Sequence, residues 1–277
     1  MSRLLKSDFK RFFKDKLFLV VCILAVVFSV ITPLLYLVIF GAMGEIDPLT
    51  EEMLSSYVNA KGQFFAAFSF NNNLGLIAPL LIGIILFKDF SYGTIRNKII
   101  AGYSRKSIFL SIFVVCFTTL FGVILAHAFL TLIVCLPFFD YQSTPFVMAD
   151  LWYLLESLFF QMLVYLFISA FVSNLCVTKS NMGLVIVVYI GVALGFSMVA
   201  SVMQMVLLAI EMFPEMKIVA SILDFIQRIN VFNSSATIGM GTSYEIKDLL
   251  YYTVVPILFT AGLIGHGILK FSKKDLK

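Results

Sequence analysis

L-F-L-V-V-C-I-L-A-V-V-F-S-V-I-T-P-L-L-Y-L-V-I-F-G, from Leu17 to Gly41, runs twenty-five residues without a charged side chain. A helix rises about 1.5 Å per residue, so about 20 apolar residues cross a hydrocarbon core of about 30 Å. The stretch is therefore a transmembrane helix. It exceeds the roughly 7–15 apolar residues of a secretory signal, and similar runs follow it, so it reads as a retained span. Those runs cover about Phe64–Phe87, Ile108–Phe138, Leu151–Cys176, Met182–Leu208 and Leu249–Phe271. Long uninterrupted runs exclude a β-barrel, whose strands alternate over short segments.

Composition agrees. The 277 residues are 61% hydrophobic and 13% charged, with mean hydropathy +1.01, far from the roughly 25% charged residues of soluble domains. The expected fold is an all-α integral membrane protein, one domain over residues 1–277 with six transmembrane helices. Lys and Arg set its orientation. Sixteen lie in the N-terminal segment, the loop after span two, the loop after span four and the C-terminal tail; only Lys61, Lys217, Arg228 and Lys247 lie on the opposite side. Both termini are expected in the cytoplasm, with the protein in the cell membrane. The formal charge of +4 is an asymmetry across the bilayer, meeting anionic lipid or a partner protein, and no nucleic-acid signature.

The loops and polar residues give finer expectations. Residues 1–16 are expected to form an interfacial helix: Leu5, Phe9, Phe12 and Phe13, continued by Leu17, form one helical face and Arg3, Lys6, Lys10 and Lys14 another, the pattern of a helix lying in the membrane interface. Loop Ala42–Gly62 is acidic and outer. Asn71, Asn72 and Asn73 fall within the second span, where polar groups must face protein or a water path, so they sit inside the helix or at a break and are candidate lining residues. Glu156 and Gln161 in span four are further candidates for a pathway or gate. His127 and His266 read as packing or interhelical hydrogen-bonding residues, because no acidic companions stand at metal-ligand spacing. Cys22, Cys116, Cys135 and Cys176 sit in or at the ends of apolar runs and read as packing residues. Gly191 and Gly195 form a small-x-x-x-small pair that permits close helix packing. In the outer segment 209–248, Met216, Val219, Ile222, Leu223 and Ile226 oppose Lys217, Ser221, Asp224 and Arg228, predicting an amphipathic helix after Pro214 with an Asp224–Arg228 pair. Asn233-Ser234-Ser235 matches a glycosylation sequon.

The most informative loop is K-D-F-S-Y-G-T-I-R-N-K-I-I-A-G-Y-S-R-K-S, from Lys88 to Ser107. Tyr92, Ile95, Ile99 and Tyr103 share a helical face, with Arg96 at its edge and Asn97 and Lys98 pointing away. Gly102 stands where a helix ends, and Ser104 where the next begins. Asp89, Phe90, Gly93, Thr94, Ile95, Arg96, Asn97, Gly102, Ser104, Arg105 and Ile108 resemble the loop between the second and third spans of permease subunits of type-2 ATP-binding-cassette exporters. The resemblance implies a cytoplasmic coupling helix resting on an ATPase, with Asp89, Gly93, Thr94, Ile95, Arg96, Asn97, Lys98, Gly102, Ser104 and Arg105 as coupling residues. It also implies an interfacial helix at the N-terminus, short re-entrant helices between spans five and six, and two cytoplasmic ATPase subunits that bind ATP and magnesium.

The chain has no G-x-x-x-x-G-K-[ST], so any ATP is bound by another subunit, and it has neither H-E-x-x-H nor G-x-S-x-G. No catalytic residue, metal or bound cofactor is expected. The leading expectation is a permease that pairs with a second copy or a related chain, and moves an amphiphilic peptide, drug or lipid-like substrate outward by alternating access. The alternative is a membrane sensor or immunity protein of the same topology that transports nothing.

Overall fold

The computed structural model describes residues 2–43, 59–142, 145–210, 217–241 and 243–274, which contain eleven helices and no strand. In chain order these are α1 (Ser2–Phe12), α2 (Lys16–Met43), α3 (Ala60–Ala66), α4 (Asn73–Ser91), α5 (Thr94–Ile100), α6 (Arg105–Cys135), α7 (Met148–Thr178), α8 (Met182–Ile210), α9 (Lys217–Ile229), α10 (Val231–Thr237) and α11 (Ile246–Lys273). Six of them, α2, α4, α6, α7, α8 and α11, are long and apolar enough to cross a membrane. The protein is a multi-pass membrane protein. Most of the acidic loop Ala42–Gly62, with Glu45, Asp47, Glu51 and Glu52, lies outside the described residues, as do Glu211, Pro214, Glu215 and Met216.

The bundle is built around α7, which packs against α11, α6 and α4 and buries Tyr165, Val164 and Ile168 completely. By contrast α2, α8 and α11 turn most of their residues outward, where lipid replaces the core. His127 Nδ1 lies 3.0 Å from Ala25 O and links α6 to α2, while His266 meets Asn174 across α11 and α7. Cys116, Cys135 and Cys176 are buried, and all four cysteines are free thiols.

Of the two forms expected for the second span, the structure has the broken one. It is two pieces: α3, a turn from Ala67 to Asn72, and α4. The break falls at the asparagines. At about 1.5 Å per residue, the 19 residues of α4 just cross the hydrocarbon core. The turn is buried from Ala67 to Phe70, where each unpaired backbone group would cost several kcal/mol. Its groups are paired: Phe70 N–H donates to Ser235 Oγ at 2.7 Å, Tyr165 O–H donates to Phe68 O at 2.7 Å, and Asn72 Nδ2 donates to Ala66 O at 2.9 Å. The turn also presses on α4 so closely that a Cβ at Gly75 would stand 2.2 Å from Ser69 O.

The face that α1 turns to the bundle differs from the expected one. Leu4, Asp8 and Phe12 are buried against α6, Leu5 and Phe9 are flanking, and Phe13 is 53% exposed. Spacing by four places Asp8 in the middle of the buried ridge. The reason is electrostatic and becomes clear at the loop after α4.

Candidate functional site

The segment from α4 to α6 is shaped by two glycines and a serine. Gly93 (φ 70) opens α5 in the left-handed region, where a Cβ is disfavoured. At the other end Gly102 (φ 88) donates to Ile99 O, and Tyr103 N–H reaches back to Lys98 O at 3.1 Å. That pair of bonds is the Schellman closure of a helix. Ser104 then accepts from Ser107 N–H and caps α6.

The seven-residue helix α5 is tied down by charge. Lys98 does not point away as its periodicity predicts: its ammonium lies 2.7 Å from Asp8 Oδ1 and 3.4 Å from Asp89 Oδ2. Asp89, at the end of α4 and 2% exposed, also pairs with Arg11 of α1. Lys88 Nζ reaches Asp15 between α1 and α2 at 2.8 Å, and Ser111 O–H of α6 donates to Asp8 Oδ2 at 2.6 Å. Three cations and three carboxylates thus join α1, α4, α5 and α6. Burial pulls Lys98 below its ordinary pKa, with Asp8 opposing; burial also lowers Arg11, with Asp8 and Asp15 opposing. Burial disfavours the Asp15 carboxylate, but Lys88, the Leu17 amide and Arg11 outweigh it and hold its pKa below the usual value. Asp8, Arg11 and Asp15 were not read as site residues. The signal available was an acid on the buried i,i+4 ridge of an otherwise basic helix.

The remaining loop residues divide by direction. Ile95 is 1% exposed, whereas Tyr92 and Ile100 are each 77% exposed. Arg96 and Asn97 are exposed beside them, so α5 shows a mixed apolar and polar outer face. Arg105 turns into the bundle, donating to Phe271 O at 2.9 Å and Ser272 O at 3.2 Å at the end of α11.

At the opposite end of the bundle, α9 and α10 form a second assembly. On α9, Arg228 donates to Asp224 at 2.8 Å and pairs with Asp248 of α11, and its pKa is raised by those carboxylates against the effect of burial. Ile218, Ile222 and Ile226 on the other side of α9 are exposed. The short α10 is buried. Ser235 receives the Phe70 amide, and its carbonyl accepts from Gln161 Nε2 at 2.9 Å, so the sequon match at Asn233 belongs to a packed segment.

Asn71 and its neighbours connect to this assembly through α8. Ser197 O–H donates to Asn71 Oδ1 at 2.5 Å, Ser201 donates to Ser197 O at 3.1 Å, and Gln227 Nε2 of α9 donates to Gln204 Oε1 at 2.8 Å. Ser197, Ser201 and Gln204 recur at i, i+4 and i+7 on one face. Asn71, Ser201 and Gln204 are exposed. The row ends in a polar cavity of about 620 Å³ lined by Gln204, Ser221, Asp224, Arg228, Asn233 and Asp248. Of the expected pathway residues, Asn71, Asp224 and Arg228 belong to this face. Asn72 is spent on the turn, the side chain of Asn73 lies outside the described residues, and Gln161 is buried. Glu156 is exposed on α7, apart from the others. Among the described residues no cluster of His, Cys, Asp and Glu could hold a metal ion.

No protein-family model, curated protein or solved structure matches the chain.

Proposed function

We propose that the chain is the membrane-spanning permease subunit of an ATP-driven exporter, pairing with a second permease and with two ATPase subunits on the side of its termini, in the cytoplasm. The observation that carries this reading is α5: a short helix clamped by the Lys98 ion pairs to α1 and α4, with Arg96, Asn97 and Ile100 exposed on its outer side and Tyr92 exposed just before it. A helix held that firmly yet open on one side transmits force from a docked partner into α4 and α6 as a rigid unit. In this role α1 is the interfacial helix, α5 the coupling helix, and α9 and α10 the outer closure. The exposed polar row on α8 supports a pathway between two permeases, since polar groups at membrane depth belong against protein or water. Walls rich in Phe and Met suit an amphiphilic substrate.

The test is co-purification. The tagged chain is isolated in mild detergent from membranes of the cell that encodes it, and bound proteins are identified by mass spectrometry. The expected partner is a P-loop ATPase without spans of its own, lost in Ile100→Asp and kept in a control at the other end, Phe138→Asp. Ile100 and Phe138 are both exposed, so neither change disturbs the core. Absence of an ATPase from the wild type, or its full retention in Ile100→Asp, would refute the proposal and favour a non-transporting sensor.

A further inference from the structure

A second cavity, of about 290 Å³, lies beside the ion-pair clamp, between α1, the turn before α2, and the junction of α4 with α5. Arg11, Lys14 and Lys88 supply its cations, Asp15 and Asp89 its carboxylates. These groups differ in how much bonding capacity they have left. Both oxygens of Asp89 are taken by Arg11, and Lys98 adds a contact to Oδ2. Both oxygens of Asp15 face Lys88 Nζ, at 2.9 and 2.8 Å, and the Leu17 amide also donates to Oδ1. The cations keep more. A guanidinium carries five N–H groups; Asp89 engages two of the Arg11 nitrogens, and the Arg11 side chain is still 39% exposed. Lys14 is exposed, and among the described residues no carboxylate pairs with it. The hydroxyls of Tyr92 and Thr94 line the same space. What remains unpaired is chiefly donor capacity, and three cations against two carboxylates leave the lining positive. The complementary ligand is an anion with several acceptor oxygens, and a phosphate group, which arginine and lysine both bind, has that form.

Its level in the bundle decides the source of the phosphate. On α4 the lining runs from Ile85 to the end of the helix, and α2 begins at Lys16, the residue after Asp15. Both helices are spans, so the cavity stands where two spans leave the hydrocarbon core, the level of phospholipid headgroups. The wall changes character along that axis. Ile85 lies about 10 Å along the helix from Tyr92, with Lys88 and Asp89 between them. Tyr92 is strongly exposed, an amphipathic ring of the kind that sits at headgroup level, and Phe13, next to Lys14, is exposed as well. The volume falls just under the roughly 300–1,000 Å³ of sites that enclose a whole drug-sized ligand, which suits a headgroup whose chains stay in the bilayer. We propose that this cavity binds the headgroup of an anionic phospholipid, its phosphate oxygens accepting from Lys14, Arg11 and the Thr94 hydroxyl. Bound there, the lipid ties the turn after α1 to the start of α5, alongside the clamp. The site requires no ATPase and stands independently of transport.

The experiment uses the full chain in phosphatidylcholine vesicles carrying a trace of photoreactive lipid: phosphatidylglycerol with a diazirine near its glycerol, or phosphatidylcholine with the same group. Labelled residues are mapped by mass spectrometry. Phosphatidylglycerol should label residues 11–15 and 85–94 about fivefold more than phosphatidylcholine, the worth of one basic residue beside anionic lipid. Lys14→Gln should bring the two probes level and Lys14→Arg should keep the preference. Lys270→Gln, at an exposed lysine near the end of α11 that does not line the cavity, should leave it unchanged. Lys14 is exposed and belongs to no ion pair of the clamp, so these substitutions leave the fold intact. Equal labelling by the two probes in the wild type, a preference unchanged in Lys14→Gln, or an equal loss in Lys14→Gln and Lys270→Gln would overturn the proposal, the last by reducing it to diffuse attraction. Inorganic phosphate at matched ionic strength should not displace the lipid; loss of the preference in its presence would give the site to free phosphate and overturn the lipid assignment.

Discussion

Lys98→Met tests the clamp on α5 most directly. It removes the ammonium 2.7 Å from Asp8, a residue 3% exposed whose carboxylate keeps the Ser111 hydroxyl at 2.6 Å and the charge of Arg11. Asp89 loses a weaker contact at 3.4 Å and retains Arg11. Breaking a buried pair from one side costs about 3–5 kcal/mol; with Ser111 still in place, about 3 kcal/mol is expected. Asp8→Asn is milder, about 1–2 kcal/mol, because Lys98 keeps Asp89 and the amide still accepts from Ser111. In the double variant neither charge is stranded, so its cost should fall about 2 kcal/mol below the sum of the singles. Equilibrium unfolding in mixed micelles, titrated with dodecyl sulfate and followed by helical circular dichroism, measures all three. Additivity within about 0.5 kcal/mol would show that the two side chains do not act on each other, and the clamp would be discarded.

Further outcomes follow from other contacts. Gly75→Ala forces Ser69 and Phe70 backbone aside, since its Cβ would lie 2.2 Å and 2.9 Å from them. It should destabilise by about 1–3 kcal/mol or more, whereas Gly122→Ala, with open space around it, should stay within about 0.5 kcal/mol in the same titration. The Asp15 carboxylate, held below its ordinary 3.8, contributes stability that is complete above that value and lost as pH falls through the lower folded value. Asp15→Asn should therefore flatten the acid limb of the unfolding midpoint as pH falls through and below 3.8, and an unchanged slope there would remove Asp15 from the network. Ser201→Cys, with Cys22→Ala to clear the background, should react with a water-soluble maleimide in intact vesicles. Reaction with a lipophilic maleimide alone would place the α8 row against lipid and not on a pathway.

The six spans were legible because hydrophobic length needs no partner to be read. So were the ends of α5: Gly102 and Ser104 act through local backbone geometry, and the structure gives them a left-handed φ of 88 and a capping hydroxyl. The clamp was not legible. Lys98 and Asp8 stand ninety residues apart, and periodicity within α5 assigns Lys98 to the outer side because it counts polarity and not pairing. The broken second span was half legible: the asparagines marked the break, but α3 is too short to show a period, and the turn is held by Ser235 and Tyr165 from distant helices. The polar row on α8 escaped notice because three small or neutral polar residues in a long apolar run barely change its hydropathy.

Arg105 and the residue after α11 bear on how this end of the bundle tolerates sequence change. Arg105 donates to the carbonyls of Phe271, Ser272 and Lys274; Lys274 Nζ in turn donates to Val177 O at 2.7 Å and Lys179 O at 3.0 Å, at the end of α7. Both cations sit at helix C-termini, where the macrodipole favours them. Every acceptor of Arg105 and Lys274 in this set is a main-chain oxygen, which any amino acid supplies. Residues 177, 179, 271 and 272 can therefore drift as far as these bonds are concerned, while Arg105 and Lys274 add a link among α6, α11 and α7 to the packing that already joins them. Substitutions at the acceptors should pass with little effect on these bonds, and loss of either cation should weaken the linkage at this end of the bundle.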